Sequence, residues 1–292
     1  GKNPMSEHII ITPSKLENIM TSLPTVIIDT RSPGDYADGH IPGAVNVHDI
    51  FTYLATSSKE GMKELRDKFA EAFGAAGLSG KEVAVLYEDS MNTGFGQSCR
   101  GYFLLEFLGY PKTAVLHGGY QAWLAEDKPT STEAAIPEPV TFPINESAAG
   151  IMLTQDDMLE ALDKDDIVKL DTRDVDEWVG TSSSPYGIDF CPRKGRIPGA
   201  VWLEWYRMMK PGEEGIVFKS KEELQGECET VGINADSKVY LYCFKGARAS
   251  NTFIALKEAG VKDVRMYFGS WNEWSRNPDL PIEAGHQNWA VS

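Results

Sequence analysis

One stretch of the chain, residues 239–257, combines the residue types that nucleophilic sulfur chemistry needs. It begins with a β-prone run that ends at Tyr242 and closes with a helix-prone segment, 250–257. A cysteine placed between a strand and a helix faces unpaired backbone N–H groups and the positive end of the helix dipole, and both favour the thiolate. The loop between the two elements reads Cys243, Phe244, Lys245, Gly246, Ala247, Arg248.

The residues that follow the cysteine suit an anion. Gly246 allows the backbone to curl without a Cβ clash, while Lys245 and Arg248 add fixed positive charge. We therefore predict that Cys243 is a nucleophile and that residues 244–248 form the loop that binds the substrate and its sulfur. The alternative is a structural cysteine that ends a core strand, which the basic residues beside it disfavour.

Charge and length restrict the functional class. The formal net charge of −15 argues against binding to nucleic acid or to an anionic membrane surface, so an anion site must create its positive field locally. A chain of 292 residues is long enough for two domains, each with its own core. No segment of the sequence is long and apolar enough to span a bilayer.

The four cysteines are widely spaced and form no Cys-x-x-Cys pair. This spacing predicts no zinc site, no disulfide framework and a reducing compartment. We expect a cytoplasmic location, and the residues ahead of Met5 leave a removed leader open as an alternative. Cys99 and Cys228 fall in helix-prone segments and are predicted to pack in the core, whereas Cys191 has an alternative role as a resolving thiol.

Strands alternate with helices along the chain, and the second half repeats the first. This pattern predicts an α/β protein with two tandem domains, each a mostly parallel sheet flanked by helices. We expect domains at 1–130 and 151–292, joined by a Pro-, Ala-, Glu- and Ser-rich linker at 131–150, with an insertion at 180–195 in the second copy. The matching segments are 29–31 with 171–173, 40–45 with 196–201, and 118–123 with 269–274.

Only the second copy carries the cysteine loop. In the alignment of the two copies, Tyr242-Cys243 falls opposite Tyr87-Glu88, and the stretch 88–97 contains no cysteine and no basic residue. Carboxylates at this place would repel an anion, so the first domain is predicted to be non-catalytic.

In order along the chain, these motifs resemble the rhodanese family in its tandem-domain sulfurtransferase form. The resemblance extends from Ile28 to Pro281. It consists of Asp-Thr-Arg after a strand, Gly-His-Ile-Pro-Gly-Ala, a glycine-led motif ending in Trp, and Cys-x-x-Gly-x-Arg. It implies an inactive first domain and a second domain whose Cys243 carries a sulfane sulfur as a persulfide. It also implies transfer from thiosulfate to cyanide or a thiol, such as a thioredoxin-like protein, without a metal or organic cofactor.

The resemblance also bears on the sulfur donor. Lys245 matches a lysine of thiosulfate-using relatives, whereas mercaptopyruvate-using relatives have small uncharged residues there and arginines at the positions of Glu177 and Tyr186. Tandem thiosulfate enzymes also tend to have an arginine at the position of Glu177, so this chain departs from both patterns. The basic residues Arg193, Lys194 and Arg196 are a substitute anion site or a solvated surface run.

Other residues near the predicted site have supporting roles. An ion pair between Asp171 and Arg173 is expected to fasten the loop to the sheet rather than to take part in the reaction. Trp271 and Trp274 are either a wall of the substrate pocket or core residues.

Three other functions remain open from the sequence. A cysteine phosphatase would have five residues between cysteine and arginine, whereas four separate Cys243 from Arg248. A regulatory binding module would not need the intact cysteine loop. Persulfide relay to a protein acceptor and 3-mercaptopyruvate sulfurtransferase activity would both use the same cysteine.

Overall fold

The computed structural model describes residues 8–284, and within that range no helix is long and apolar enough to cross a membrane. The described chain divides into two compact units. Unit 1 contains the residues up to 53, with 63–150 and 209–218; unit 2 contains 54–62, 151–208 and the residues from 219. The outer ends of the predicted domains 1–130 and 151–292, and the stretch ahead of Met5, lie outside the described residues.

The elements of the first copy of the repeat alternate as the sequence pattern predicts. The strands are β1 Ile10–Ile11, β2 Thr25–Asp29, β3 Val45–Asn46, β4 Val83–Tyr87 and β5 Thr113–Leu116. The helices are α1 Pro13–Ser22, α2 Pro33–Asp38, α3 Asp49–Thr52, α4 Lys59–Ala75, α5 Gln97–Phe107 and α6 Gly119–Ala125.

The second copy follows the same order, with a β-hairpin added. Its strands are β6 Met152–Leu153, β7 Ile167–Asp171, β8 Val201–Trp202, β9 Met209–Gly212, β10 Gly215–Phe218, β11 Lys238–Tyr242 and β12 Asp263–Tyr267. Its helices are α7 Gln155–Ala161, α8 Val175–Trp178, α9 Lys221–Glu229, α10 Ala247–Ala259 and α11 Ser270–Trp274, with 3₁₀ helices at Glu146–Ile151 and Trp205–Met208.

The two five-stranded sheets have equivalent strand orders, β1-β5-β4-β2-β3 and β6-β12-β11-β7-β8. Every pairing within them is parallel, which confirms the predicted fold class. The central strands are β4 and β11, and β4 is buried along its whole length, as a strand covered on both faces must be. Parallel strands end at a common edge, so the residues after β4 and β11 occupy the usual position of a ligand site.

Each sheet is tied to its loops by the same buried network. In unit 2, Asp171 accepts hydrogen bonds from the backbone N–H of Arg173 (3.0 Å), from its Nε (3.0 Å) and from its Nη2 (2.7 Å). The same carboxylate accepts from the hydroxyl of Tyr242, whose oxygen in turn accepts from the N–H of Ile197. Arg173 also donates to the carbonyl of Gly195, which fastens the end of the 180–195 insertion.

Three segments have no counterpart in the repeat, and the sequence pattern did not predict which unit each of them groups with. Residues 54–62 group with unit 2, where Ser57 Oγ donates to Glu273 Oε1 at 2.6 Å. The hairpin β9–β10 groups with unit 1, where the N–H of Phe218 donates to His117 Nε2. The predicted linker 131–150 also groups with unit 1 and is held there by an antiparallel bridge between Ser131 and His40.

Candidate active site

Cys243 lies directly after the central strand β11 and is 1% exposed. Its sulfur accepts a hydrogen bond from the backbone N–H of Gly246 at 3.0 Å. Its own N–H donates to the hydroxyl of Ser270 at 3.2 Å. The thiol is thus held against the start of α10, where the backbone N–H groups of the first turn have no partner within the helix.

The turn that makes this possible depends on Gly246, which has φ +97° and precedes the first residue of α10. A Cβ at this position would lie 2.8 Å from the ring of Phe268. The hydroxyl of Ser250 donates to the Gly246 carbonyl at 2.5 Å and closes the turn. Glycine is therefore required both by the left-handed backbone and by the space.

The loop carbonyls are held by the helix on the other side. The N–H of Trp271 donates to the Cys243 carbonyl and that of Asn272 to the Phe244 carbonyl, both at 2.9 Å. Ser270, which begins α11, has the unusual φ of 55° and donates its hydroxyl to a strand carbonyl. These two carbonyls therefore have donors on the side of α11, while the N–H of Gly246 faces the sulfur, so an anion at the sulfur meets at least one backbone donor.

Arg248, at the end of the loop, is paired with a buried carboxylate. Its two Nη atoms donate to the two oxygens of Glu177 at 2.6 and 3.0 Å, and Asp174 lies 3.5 Å from Nη1. Burial by itself lowers the pKa of Arg248, but the Glu177 carboxylate more than offsets this, so its pKa is raised and it stays charged. This contact supports a structural role for Arg248 at the end of the loop. No local pattern in the sequence marks Glu177 as its partner.

Lys245 lies against an aromatic ring. Its side chain is mostly buried, and Nζ lies 5.0 Å from the ring centroid of Tyr186. Tyr186 and Phe190, both from the 180–195 insertion, pack edge-on against Phe244 at 5.4 and 5.8 Å. The insertion therefore supplies an aromatic wall beside the cysteine loop. No pattern in the sequence marked these two residues as neighbours of Phe244.

The predicted supporting pair Asp171–Arg173 is part of the network that ties loop to sheet. Unit 1 has an equivalent network: Asp29 accepts from Arg31 Nη2 at 2.7 Å and from the Tyr87 hydroxyl at 2.6 Å. Unit 1 has this pair but has Glu88 in place of the loop cysteine, so the geometry of the pair supports a structural rather than a catalytic role.

The basic residues of the insertion have internal partners. Arg193 donates to four backbone carbonyls, among them those of Ser275 and Leu280, and Lys194 pairs with Asp189. Arg196 pairs with Glu283 and lies over a tryptophan ring. These contacts support structural roles for Arg193 and Arg196, whereas the side chains of Lys194 and its partner Asp189 are exposed, as in a solvated surface run.

The two tryptophans that were predicted as a pocket wall or as core residues lie in the core. Trp271 and Trp274 are fully buried in a cluster that also contains Phe244 and Cys191, and each indole N–H donates to a backbone carbonyl. Their packing supports the core alternative.

All four cysteines are free thiols, and the other three are buried as well. Burial raises the pKa of Cys99, of Cys191 and of Cys228, the last to about 11. A thiol that is neutral at physiological pH reacts slowly. This environment supports packing roles for Cys99 and Cys228 and disfavours Cys191 as a resolving thiol.

Comparison with known proteins agrees with this geometry. The model of the rhodanese-like domain matches residues 12–126 and again 154–277. The chain belongs to the rhodanese-like family. It is 31% identical over 277 residues to a thiosulfate sulfurtransferase of Azotobacter vinelandii, with 94% of this chain and 97% of that protein covered. It is 30% identical to the sulfur carrier protein TtuD of Thermus thermophilus, covering 86% of this chain and 88% of that one.

Among solved structures, the anaerobic ergothioneine biosynthesis enzyme from Chlorobium limicola, in complex with trimethyl histidine, has a TM-score of 0.81 at 22% identity. The match covers 98% of this chain and 72% of that one. This likeness shows the fold alone. The curated relatives place the rhodanese-like chain among the sulfurtransferases.

The loop of the first rhodanese-like domain has a carboxylate where the second has its cysteine. Glu88 was predicted to repel an anion, and its carboxylate points into its own loop, where it accepts from the Gly96 N–H at 3.2 Å and the Ser98 hydroxyl at 2.6 Å. Burial raises the pKa of Glu88 to about 7, against the lowering effect of those hydrogen bonds. The donors at the start of α5 are thus satisfied by the chain itself.

Proposed function

We propose that this protein is a sulfurtransferase that moves a sulfane sulfur from thiosulfate to cyanide or a thiol through a persulfide on Cys243. The observation that supports the proposal best is the 3.0 Å hydrogen bond from the Gly246 N–H to the cysteine sulfur at the start of a thirteen-residue helix. This arrangement stabilises negative charge on sulfur, which both the thiolate and the persulfide carry.

The reaction has two half-reactions. The Cys243 thiolate attacks the outer sulfur of thiosulfate, the sulfur–sulfur bond of the donor breaks, and sulfite leaves with the bonding electron pair. The terminal sulfur of the persulfide is then negative and is stabilised by the loop N–H groups of residues 244–248, in the manner of an oxyanion hole. A nucleophilic acceptor takes that sulfur and restores the thiolate. Neither step requires a metal or an organic cofactor.

The loop cations have separate roles in this proposal. Lys245 supplies positive charge for an anionic donor, with its ammonium positioned by Tyr186. Arg248 fixes the far end of the loop through Glu177. Asp171 and Arg173 hold the strand end in place, and Arg196 holds the segment behind it through Glu283.

A second candidate is persulfide relay to a protein acceptor, including a thioredoxin-like protein, because one of the relatives is named a sulfur carrier protein. It uses the same cysteine and differs only in the acceptor. Mercaptopyruvate as donor has less support, because Lys245 and Glu177 replace the residues expected of such enzymes. The phosphatase alternative has less support as well, since four residues separate cysteine from arginine. A cytoplasmic, reducing location remains a prediction from the cysteine pattern.

Intact mass spectrometry tests the proposal directly. Incubation with thiosulfate is expected to add one sulfur atom to the parent protein and none to Cys243→Ser, and subsequent cyanide is expected to remove it. Mercaptopyruvate and an aryl phosphate are tested in parallel. A mass gain from mercaptopyruvate alone would mean that mercaptopyruvate, and not thiosulfate, is the donor. The absence of any gain at Cys243 would overturn the proposal.

A further inference from the structure

The positive charge of Arg248 is matched by carboxylates from the segment after β7. Glu177 is fully buried and binds both Nη atoms of Arg248, and Asp174 lies 3.5 Å from one of them. One oxygen each of Asp174, Asp176 and Glu177 lies within 4.8 Å of the others. A fixed buried carboxylate therefore accompanies one of the two cations of the cysteine loop.

More negative charge surrounds this group. Burial, followed by the nearby carboxylate of Asp174, raises the pKa of Glu204. The thiolate of Cys243 adds a further negative charge when the site is ready to react. Because electrostatic energy is proportional to the charge of the ligand, this surrounding charge opposes a dianion twice as strongly as a monoanion.

We infer that Glu177 is a specificity-determining residue that sets the charge of the sulfur donor. Its negative charge lowers kcat/KM for the thiosulfate dianion more than for a monoanionic sulfane donor, such as an organic thiosulfonate or persulfide anion. This inference rests on the proposed sulfurtransferase function and concerns the charge selectivity of its donor site. Glu177 acts through the field that it and Arg248 produce at Cys243, rather than by contact with the reacting sulfur.

A thiosulfonate can transfer its outer sulfur to Cys243 in one displacement step. The Cys243 thiolate attacks the outer sulfur of a thiosulfonate, the sulfur–sulfur bond of the donor breaks, and a sulfinate leaves with the electron pair. The product is the same Cys243 persulfide that thiosulfate would give. Methanethiosulfonate and thiosulfate therefore make a matched pair of probes that differ in overall charge.

The test measures kcat/KM for both donors, with cyanide as acceptor, in the parent and in Glu177→Gln. The amide keeps the shape and one acceptor for Arg248 but removes the charge. We expect kcat/KM to rise about tenfold for thiosulfate and about threefold for methanethiosulfonate. The reason is that the logarithm of the change in kcat/KM is proportional to the charge of the donor. Added salt is expected to reduce the difference between the two donors.

Two further variants serve as controls. Glu177→Asp keeps the charge and should leave the ratio of the two donors unchanged. Asp165→Asn removes an exposed carboxylate that precedes β7, at the opposite edge of the sheet from Cys243. It should leave kcat/KM unchanged for both donors.

If Glu177→Gln does not fold, as judged by its thermal transition, Asp174→Asn is tested in its place. We then expect a rise of about threefold for thiosulfate and less for methanethiosulfonate.

The outcomes separate this inference from the proposed function. Equal changes for the two donors, no change, or a larger gain for methanethiosulfonate would overturn the role of Glu177 while persulfide formation at Cys243 still stands. Failure of both donors to add sulfur to Cys243 in the parent and in the variants would overturn the proposed function instead.

Discussion

The ends of the two central strands show how one scaffold supports two different loops. After β4 the N–H of Tyr120 donates to the Glu88 carbonyl at 2.8 Å, and after β11 the N–H of Trp271 donates to the Cys243 carbonyl at 2.9 Å. In both units a glycine in the left-handed region precedes the next helix, with φ +85° at Gly96 and +97° at Gly246.

The loops differ in what fills them. Three residues after Cys243 the chain reaches Gly246, and the helix N–H group meets a sulfur. Unit 1 uses eight residues to reach Gly96, and its helix N–H group meets the Glu88 carboxylate. The strand–loop–helix frame thus makes a place for an anion, while the loop decides whether a reactive atom or an internal carboxylate occupies it.

The largest expected effect is on the reactive atom. Cys243→Ser should lower sulfur transfer at least about a thousandfold, because a hydroxyl is scarcely ionised at neutral pH and cannot hold a sulfane sulfur. Steady-state assays with thiosulfate and cyanide measure the rate of sulfur transfer. Cys191→Ser is the matched control and should retain activity. Substantial transfer by the Cys243 variant would mean that another residue accepts the sulfur.

The shared network predicts equal effects in the two units. Arg31→Met and Arg173→Met each leave a buried aspartate without its partner, which should cost about 3–5 kcal/mol of unfolding free energy. Urea unfolding measures both variants under the same conditions. If the folded Arg173 variant alone lost transfer activity, while the two variants were equally destabilised, the pair in unit 2 would have a catalytic role.

The carboxylate in the unit 1 loop predicts a pH dependence that the unit 2 loop should not show. The pKa of Glu88 is raised from 4.5 to about 7, so the folded state favours its protonated form. Its contribution to stability is fully present below pH 4.5 and is lost as the pH rises through about 7, a change of about 3 kcal/mol.

Denaturant titrations between pH 4.5 and 8 test this, and Glu88→Gln should give a flatter profile than the parent. Cys243→Ser, in which the Glu88 loop is intact, should follow the parent profile. A parent profile as flat as that of Glu88→Gln would show that the buried carboxylate does not titrate in this range.

The smallest of these effects concerns the cation that unit 1 lacks in its loop. Lys245→Ala should raise KM for thiosulfate by about ten- to hundredfold with a smaller change in kcat, since a charge-assisted contact is worth about 1.5–3 kcal/mol. Lys245→Arg is expected to recover most of the loss. An unchanged KM would assign donor binding to the backbone N–H groups alone.

Much of this structure could be read from the chain. The β-prone run that ends at Tyr242 coincides with strand β11, and the repeat predicted two mostly parallel sheets. The helix predicted at 250–257 is longer, Ala247–Ala259, because its first turn consists of loop residues that become helical only after Gly246. The hairpin 209–218 and the segment 54–62 were missed because neither has a counterpart in the repeat.

The sequence by itself determined the fold class, the cysteine and its basic loop, because strand periodicity, glycine and the order of motifs are local properties. Only the tertiary structure decided which charges meet. Glu177 pairs with Arg248 across 71 positions of chain, and Tyr186 joins Lys245 from an insertion that has no regular periodicity. Such pairs depend on where the sheet brings distant loops together, and no local pattern in the chain encodes that distance.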